Sequence, residues 1–478
     1  MDHSFVFRIV LLLALSSSIW CGHSRIEKWA QSRNAATSAG VEIAHLPDFG
    51  WGIRATTDLN AGTVLTSTPL TAVLSLEHAY LFPDFEPIIE GRLNGLGDTD
   101  LTALFLAFLH LHYSHQENVS SGDSVASTTL HNVDPLLDWS GYLNSLPRDV
   151  GLPVQYTDDL FEDMRGSALV GLCQRRNKAV TKSYRYIQKT LSAEHPGAMA
   201  GLSEALFRWG LAIVWSRTHR VRARDPKGQW QVAAVLVPLA DIFNMADSEE
   251  RANVECATND DSTHFNCSLT QPTKAGEQLF VLYSSPAHRH NGRLLMDYGF
   301  SLRRNPWNQL TFILPTDVPQ HVSDYTQKQS IWKSMEPWGT GVTNIKPLSD
   351  DEIVSFELLA IGRLFNLNKD TVQSVQDMKP RDRYASLLKP AASPAVENAA
   401  VRWAKKLLEK ARRDYRTTLV EDEHLLDSPH ISASKRNVII LRAGEKEIID
   451  RLLQALEHYQ QVLAAKKKKR AKKRRDEL

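Results

Sequence analysis

The sequence predicts an α+β fold in which two β-rich stretches frame a helical insert and an all-helical region follows. Three observations predict it. Residues 41–74 and 232–283 break into short β-type runs between turn signals. Residues 77–200 and 317–465 instead carry their apolar positions at helical spacing. The proline-rich junction Pro315–Pro319 separates the second β-rich stretch from the last helical region.

The elements follow in order. Val41–Ala44, Gly52–Thr56 and Thr63–Leu74 read as strands, with Asn60-Ala61-Gly62 as a tight turn. Leu101–His112 is a strongly apolar helix, and Phe161–Leu172 and Lys178–Leu191 read as helices too. The Ser/Gly/Asp-rich residues 118–129 read as a loop within this insert. Ser203 is placed to cap a helix Glu204–Thr218, with Leu206, Trp209, Ile213 and Val214 on its apolar side. Val232–Val237 is a continuous apolar run stopped by Pro238, the pattern of a buried strand. His264–Thr270 and Gln278–Tyr283 are further strands joined through Lys274-Ala275-Gly276. Asn291–Tyr298 is a short helix closed by Gly299. Asp350–Phe365, Ser393–Thr418 and Ser434–Ala465 complete the helical region; in the last, Leu441, Ile448, Leu452, Leu456 and Leu463 recur at helix spacing.

Composition narrows the function classes. A chain of 478 residues with 42% hydrophobic and 23% charged residues is too apolar for disorder and long enough for two or three domains. The net charge of +1 hides an asymmetry: residues 466–475 hold nine Lys/Arg, so the tail through Glu477 carries +7 and the remainder −6. Nucleic-acid binding by the main body is therefore disfavoured. The four cysteines form no Cys-x-x-Cys pair, which excludes zinc-finger and thioredoxin-type readings.

The two ends suggest an address. Phe5–Leu15 is apolar except for Arg8 and too short to span a bilayer comfortably, so residues 1–23 read as a signal peptide, with a signal anchor or an untargeted apolar helix as the alternatives. Arg475-Asp476-Glu477-Leu478 resembles the Lys/His-Asp-Glu-Leu retention signal, which implies the endoplasmic reticulum lumen and a retention receptor as partner. The rival reading of Lys466–Arg475 is a nuclear localisation segment, with the nucleus or cytosol as location. No later segment has the length and apolarity of a membrane span. Asn118 and Asn266 begin glycosylation sequons, Asn118 in the expected loop and Asn266 in an expected strand. Cys256 and Cys267 flank a turn-like Asn259-Asp260-Asp261 and are the expected disulfide pair.

Three separated stretches carry the chemistry. The first is Phe49-Gly50-Trp51-Gly52 with its following strand. The second is Trp215-Ser216-Arg217-Thr218 followed by Val237-Pro238-Leu239-Ala240-Asp241-Ile242-Phe243-Asn244. The third is Gly276–Tyr283, closed by Asp297-Tyr298-Gly299-Phe300 and Asn305-Pro306. Singly, each has a structural reading: a turn between strands, a turn asparagine, a packing tyrosine, a helix-ending Tyr-Gly. Together, in this order and spacing, they resemble the SET-domain protein methyltransferases. The resemblance is to the subclass typified by the Rubisco large-subunit lysine methyltransferase, with a split SET domain and a helical substrate-binding domain. It covers about residues 40–460 and includes Arg442-Ala443-Gly444-Glu445-Lys446 in the C-terminal part.

The resemblance implies a SET β-fold with a knot-like core at 24–316, a helical insert at about 77–200, and a helical substrate-binding domain at 317–465. It implies S-adenosylmethionine as cofactor and a protein substrate methylated on lysine; a histidine acceptor and a catalytically degenerate binding protein are the alternatives. Phe49, Gly50 and Trp51 match the cofactor-cradling loop, and Arg217 a cofactor-side arginine. Asp241, Asn244 and Met245 match the Asn-His segment. Tyr283 matches the catalytic tyrosine, and Tyr298, Gly299 and Phe300 the aromatic closing segment. No metal is implied. Four positions depart from the pattern: Met245 replaces His, Phe49 an acidic residue, Ser284 a glycine and His219 an aromatic.

Those residue types suit amine methylation. A lysine with pKa ~10.4 is about 4.6 kcal/mol from its neutral form at pH 7. An apolar channel and a neighbouring cation lower that cost, and a tyrosine hydroxyl orients the neutral amine, so positioning supplies the rate.

Overall fold

The computed structural model describes residues 26–47, 49–82, 85–89, 93, 95–119, 138–194, 201–224, 230–314, 318–335, 342–347 and 357–476. The expected signal peptide and the final Glu477-Leu478 lie outside them. No helix of the described residues is long and apolar enough to cross a membrane. The chain divides into two compact units: residues 1–155, 175–285 and 297–299 form the first, and residues 156–174, 286–296 and 300–478 the second.

The first unit is built on small sheets. One has the order β1 (Ala36–Thr37), β4 (Val64–Pro69), β9 (His264–Leu269), β8 (Val254–Thr258); another has the order β2 (Val41–Leu46), β3 (Gly50–Ala55), β10 (Gln278–Val281), β7 (Asn244–Met245). Alternation sets their faces: in β9, Phe265, Cys267 and Leu269 are buried and join Leu65, Val254 and Leu279 in one apolar core. Cys256 and Cys267 are paired across β8 and β9 and form the expected disulfide.

A third sheet pairs β5 (Thr218–Arg224) with β6 (Trp230–Leu236). The helix expected to end at Thr218 ends at Arg217, and the chain turns straight into a strand. Val221 is buried while Arg220 and Arg222 are exposed, so the period-2 signal was present in the sequence. β6 is not buried throughout: Val232 is 61% exposed, and burial begins at Val235.

The helical insert forms its own core with the helix Glu204–Arg217. Ser203 caps that helix by accepting a hydrogen bond from the Leu206 amide at 3.1 Å. Gly210 lets it approach the helix Asp98–Val119, because a Cβ at this position would lie 2.4 Å from the Ala103 carbonyl oxygen. The latter helix carries Asn118 and Val119, and residues 120–129 of the expected loop lie outside the described residues.

The second unit is mostly helical. Its core joins Leu358, Ile361 and Leu364 of Glu357–Asn366 with Val401, Ala404 and Leu408 of Pro394–Asp414 and with Ile449, Leu452 and Leu456 of Ala433–Asp476. Two expected helices are interrupted. Phe161–Leu172 splits into Asp158–Asp163 and a helix starting at Leu169, because Gly166 takes φ +99° between them. Ser393–Thr418 stops at Asp414, and Thr418 instead opens a capping box on Leu419–Leu426 with Glu421.

Candidate active site

β10 gathers the sequence-distant stretches. It pairs antiparallel with β3, Leu279 opposite Ile53, and parallel with β7, Phe280 opposite Asn244 and Val281 opposite Met245. The Asn244 side-chain amide donates to the Trp51 carbonyl at 3.1 Å. Gly52 leaves room for that bond, since a Cβ there would lie 2.4 Å from Asn244 Nδ2 and displace the amide. Gly50 opens β3 with φ +73°, and Phe49 sets its ring edge-on to Phe280 at 5.3 Å. Trp51 meets His45 edge-on at 5.5 Å. Met245 is 4% exposed, buried against the sheet.

The turn before β7 presents a buried carboxylate paired with a partly exposed arginine. Leu239 adopts φ +73°, a conformation that costs a branched residue about 1–3 kcal/mol and that survives where the surroundings impose it. It starts the short turn Ala240–Ile242 that carries Asp241. The Asp241 carboxylate is 1% exposed, lies 3.5 Å from Arg217 Nη1, and accepts a hydrogen bond from the Tyr142 hydroxyl at 2.8 Å. Arg217 Nη1 also donates to the Asp241 carbonyl at 2.8 Å. Two buried atoms of the pair are left without a partner: Arg217 Nε, a donor, and Asp241 Oδ1, an acceptor. An unspent donor and an unspent acceptor in one buried place fit a ligand carrying both charges, such as the carboxylate and ammonium of an amino-acid group.

Tyr283 follows β10. Its hydroxyl donates to the Phe243 carbonyl at 2.7 Å. Burial pushes its phenol up to about 12, with the Arg217 charge opposing, so it is a neutral hydrogen-bonding group at physiological pH. Its ring lies 4.9 Å from that of Tyr298, whose hydroxyl is 2.6 Å from Ser284 Oγ. Ser284 takes φ +52°, which explains why a glycine suits this position. Gly299 has φ +81°, and a Cβ there would meet the Val150 carbonyl oxygen at 2.1 Å. Phe300 falls in the second unit, whereas every other expected site residue lies in the first. His219 sets its ring edge-on to Phe265 at 5.2 Å, and burial lowers its pKa, so a neutral imidazole does the packing of the aromatic it replaces. Among the described residues no group of three or more His, Cys, Asp or Glu is placed to hold a metal ion.

Comparison with known proteins adds the following. Residues 319–449 match the family model described as Rubisco LSMT substrate-binding. The SET domain of LSMT bound to lysine and AdoHcy superposes with a TM-score of 0.68 at 17% identity, covering 92% of each chain. The chain thus has the SET-domain fold, and its residues 319–449 are similar to the Rubisco LSMT substrate-binding domain. Rubisco LSMT bound to AdoMet superposes as well, with a TM-score of 0.68 at 18% identity over 92% of this chain and 93% of that one. In sequence, the SET-domain chain is 23% identical to the actin-histidine N-methyltransferase of Canis lupus familiaris over 92% of its length and 70% of the relative's. The protein of the same name from Gallus gallus is 22% identical over 91% and 69%.

One residue in contact with the candidate site, Tyr142, carries no signal in the sequence. Tyr142, from the insert helix Ser140–Leu143, reaches Asp241 across 99 positions. Burial and the Asp241 charge hold its phenol well above the ordinary tyrosine range, so it remains a donor. No local pattern around Tyr142 announces a partner so far along the chain.

Proposed function

We propose that this SET-domain protein is an S-adenosylmethionine-dependent protein methyltransferase whose acceptor is a lysine side chain. The observation that carries the reading is the Arg217–Asp241 pair, its carboxylate buried and one donor and one acceptor unspent, next to the neutral Tyr283 phenol. S-adenosylmethionine supplies, when bound, a methyl group activated by its sulfonium. Arg217 would hold the carboxylate of its amino-acid end and Asp241 the ammonium. Asn244 fixes the Trp51 backbone, and so the loop of Phe49–Trp51, against β10. The Tyr283 and Tyr298 rings, tilted 34° to each other, form one wall, and Tyr283, neutral throughout, offers its hydroxyl oxygen to orient an incoming amine. A desolvating aromatic wall favours the neutral, nucleophilic amine.

The test is calorimetric titration of S-adenosylmethionine into the purified protein and into Asn244→Ala. Saturable binding that weakens in the variant supports the reading; absence of heat in the unmutated protein contradicts it and favours a binding protein on a degenerate SET fold.

A histidine acceptor is the second reading, favoured by the actin-histidine methyltransferases among the relatives in sequence. The two differ in pH dependence. An imidazole with pKa ~6.5 is mostly neutral at pH 7, so the rate should level off above that value. A lysine acceptor should give a rate that keeps rising through pH 8–9.

For location we propose the lumen of the endoplasmic reticulum. The two terminal sequences support it, and the Cys256–Cys267 disulfide suits an oxidising compartment. Protection from protease in sealed microsomes, lost on adding detergent, is the expected result; digestion without detergent would contradict it.

A further inference from the structure

We infer that Tyr142, contributed by the helical insert, is a positioning residue of the cofactor site that fixes the Asp241–Arg217 pair through its hydroxyl. The inference rests on the methyltransferase reading above.

Asp241 Oδ2 takes both available contacts, the Tyr142 hydroxyl at 2.8 Å and Arg217 Nη1 at 3.5 Å. The occupation of Oδ2 is what leaves Oδ1 free to accept from a ligand. Without the hydroxyl, the carboxylate is free to rotate its second oxygen toward Arg217 as a bidentate pair, which would spend both Oδ1 and Arg217 Nε on each other. Tyr142 therefore keeps the two charges apart enough to serve a zwitterionic group. Its own ring is immobile. It stacks on Trp29 at 5.9 Å and meets Trp139 at 6.4 Å, and it is fully buried. Gly141 brings the helix so close to Trp29 that a Cβ would lie 2.5 Å from Trp29 Cβ. The ring belongs to the insert core; only the hydroxyl faces the charge pair. These two roles are separable by one substitution.

The experiment compares the full chain with Tyr142→Phe, Asp241→Asn and the double variant. The readouts are the S-adenosylmethionine Kd by calorimetry, the unliganded melting temperature, and KM against kcat. Tyr142→Phe keeps the ring and should weaken cofactor binding by about 10-fold, the scale of one charge-assisted hydrogen bond. The cofactor KM should rise with it, while kcat at saturation stays within about 2-fold. In the Asp241→Asn background, removing the hydroxyl should change Kd by less than about 2-fold, because its partner charge is already gone. An unchanged Kd in Tyr142→Phe, or effects that simply add in the double variant, overturns the inference while leaving the methyltransferase reading intact. No binding in the unmutated protein overturns both. Should Tyr142→Phe not fold, Asp241→Asn alone must weaken binding by about 10-fold, and an unchanged affinity there overturns the inference.

Discussion

Asn244 and Trp51, 193 positions apart, are joined by a 3.1 Å hydrogen bond from the asparagine side chain to the tryptophan carbonyl. That bond ties the start of β3 to the strand β7 and joins two β-rich stretches. Asn244→Ala should therefore release the Phe49–Trp51 backbone and weaken S-adenosylmethionine binding by about 10-fold, with a melting temperature lower by only a few degrees. Calorimetry and a thermal scan on the same sample check it.

Gly52 tests the same junction from the other side. A methyl group there would meet Asn244 Nδ2 at 2.4 Å and Leu46 Cδ1 at 2.7 Å. Gly52→Ala should cost about 1–3 kcal/mol of stability and lower cofactor affinity together, measured by denaturant unfolding and calorimetry. A stable variant with ordinary affinity would place the cofactor elsewhere.

Tyr283→Phe keeps the ring beside Tyr298 and removes only the hydroxyl. The expected outcome is a kcat lower by about 10²-fold with cofactor Kd within 2-fold of the original, since an orienting group acts on the reaction and not on cofactor capture. Single-turnover kinetics with labelled cofactor separates the two.

Glu445 gives the second unit a pH dependence. It is buried and accepts hydrogen bonds from Ser167 and Tyr415, each at 2.9 Å, and burial raises its pKa from 4.5 to about 7. Between those values the folded protein holds a proton that the unfolded chain has released. Stability from this group is therefore full below about pH 4.5, falls as pH rises toward 7, and is level above it, a loss on the order of 3 kcal/mol. Glu445→Gln should match the unmutated protein near pH 5 and melt higher at pH 8. A gap that does not change with pH contradicts the assignment.

Much of the frame was legible in the sequence because local chemistry decides it. Ser203 caps its helix, Asn291–Tyr298 ends before Gly299, and the Cys256–Cys267 pair flanks a turn. The expectations that failed involve single residues overriding a smooth pattern. Gly166 splits one apolar helix run, and Thr418 starts a helix where another was expected to finish. β5 was hidden by its arginines, whose alternation with Val221 is a strand signal despite their charge. The candidate site was proposed from a set of motifs, since Asn244, Arg217 and Tyr283 sit in ordered, recognisable stretches. Tyr142 was not, because its meaning comes entirely from a carboxylate that only the folded chain brings near.

The most direct measurement of the central claim is transfer itself. The protein is incubated with methyl-labelled S-adenosylmethionine and a protein extract, in parallel with Tyr283→Phe, and the labelled side chains are mapped by mass spectrometry. The expected result is label on lysine nitrogen of discrete proteins, greatly reduced with the variant. Label on histidine would replace lysine as the acceptor, and equal labelling by both proteins, or none by either, would contradict the assignment of Tyr283 to a methyl-transfer site.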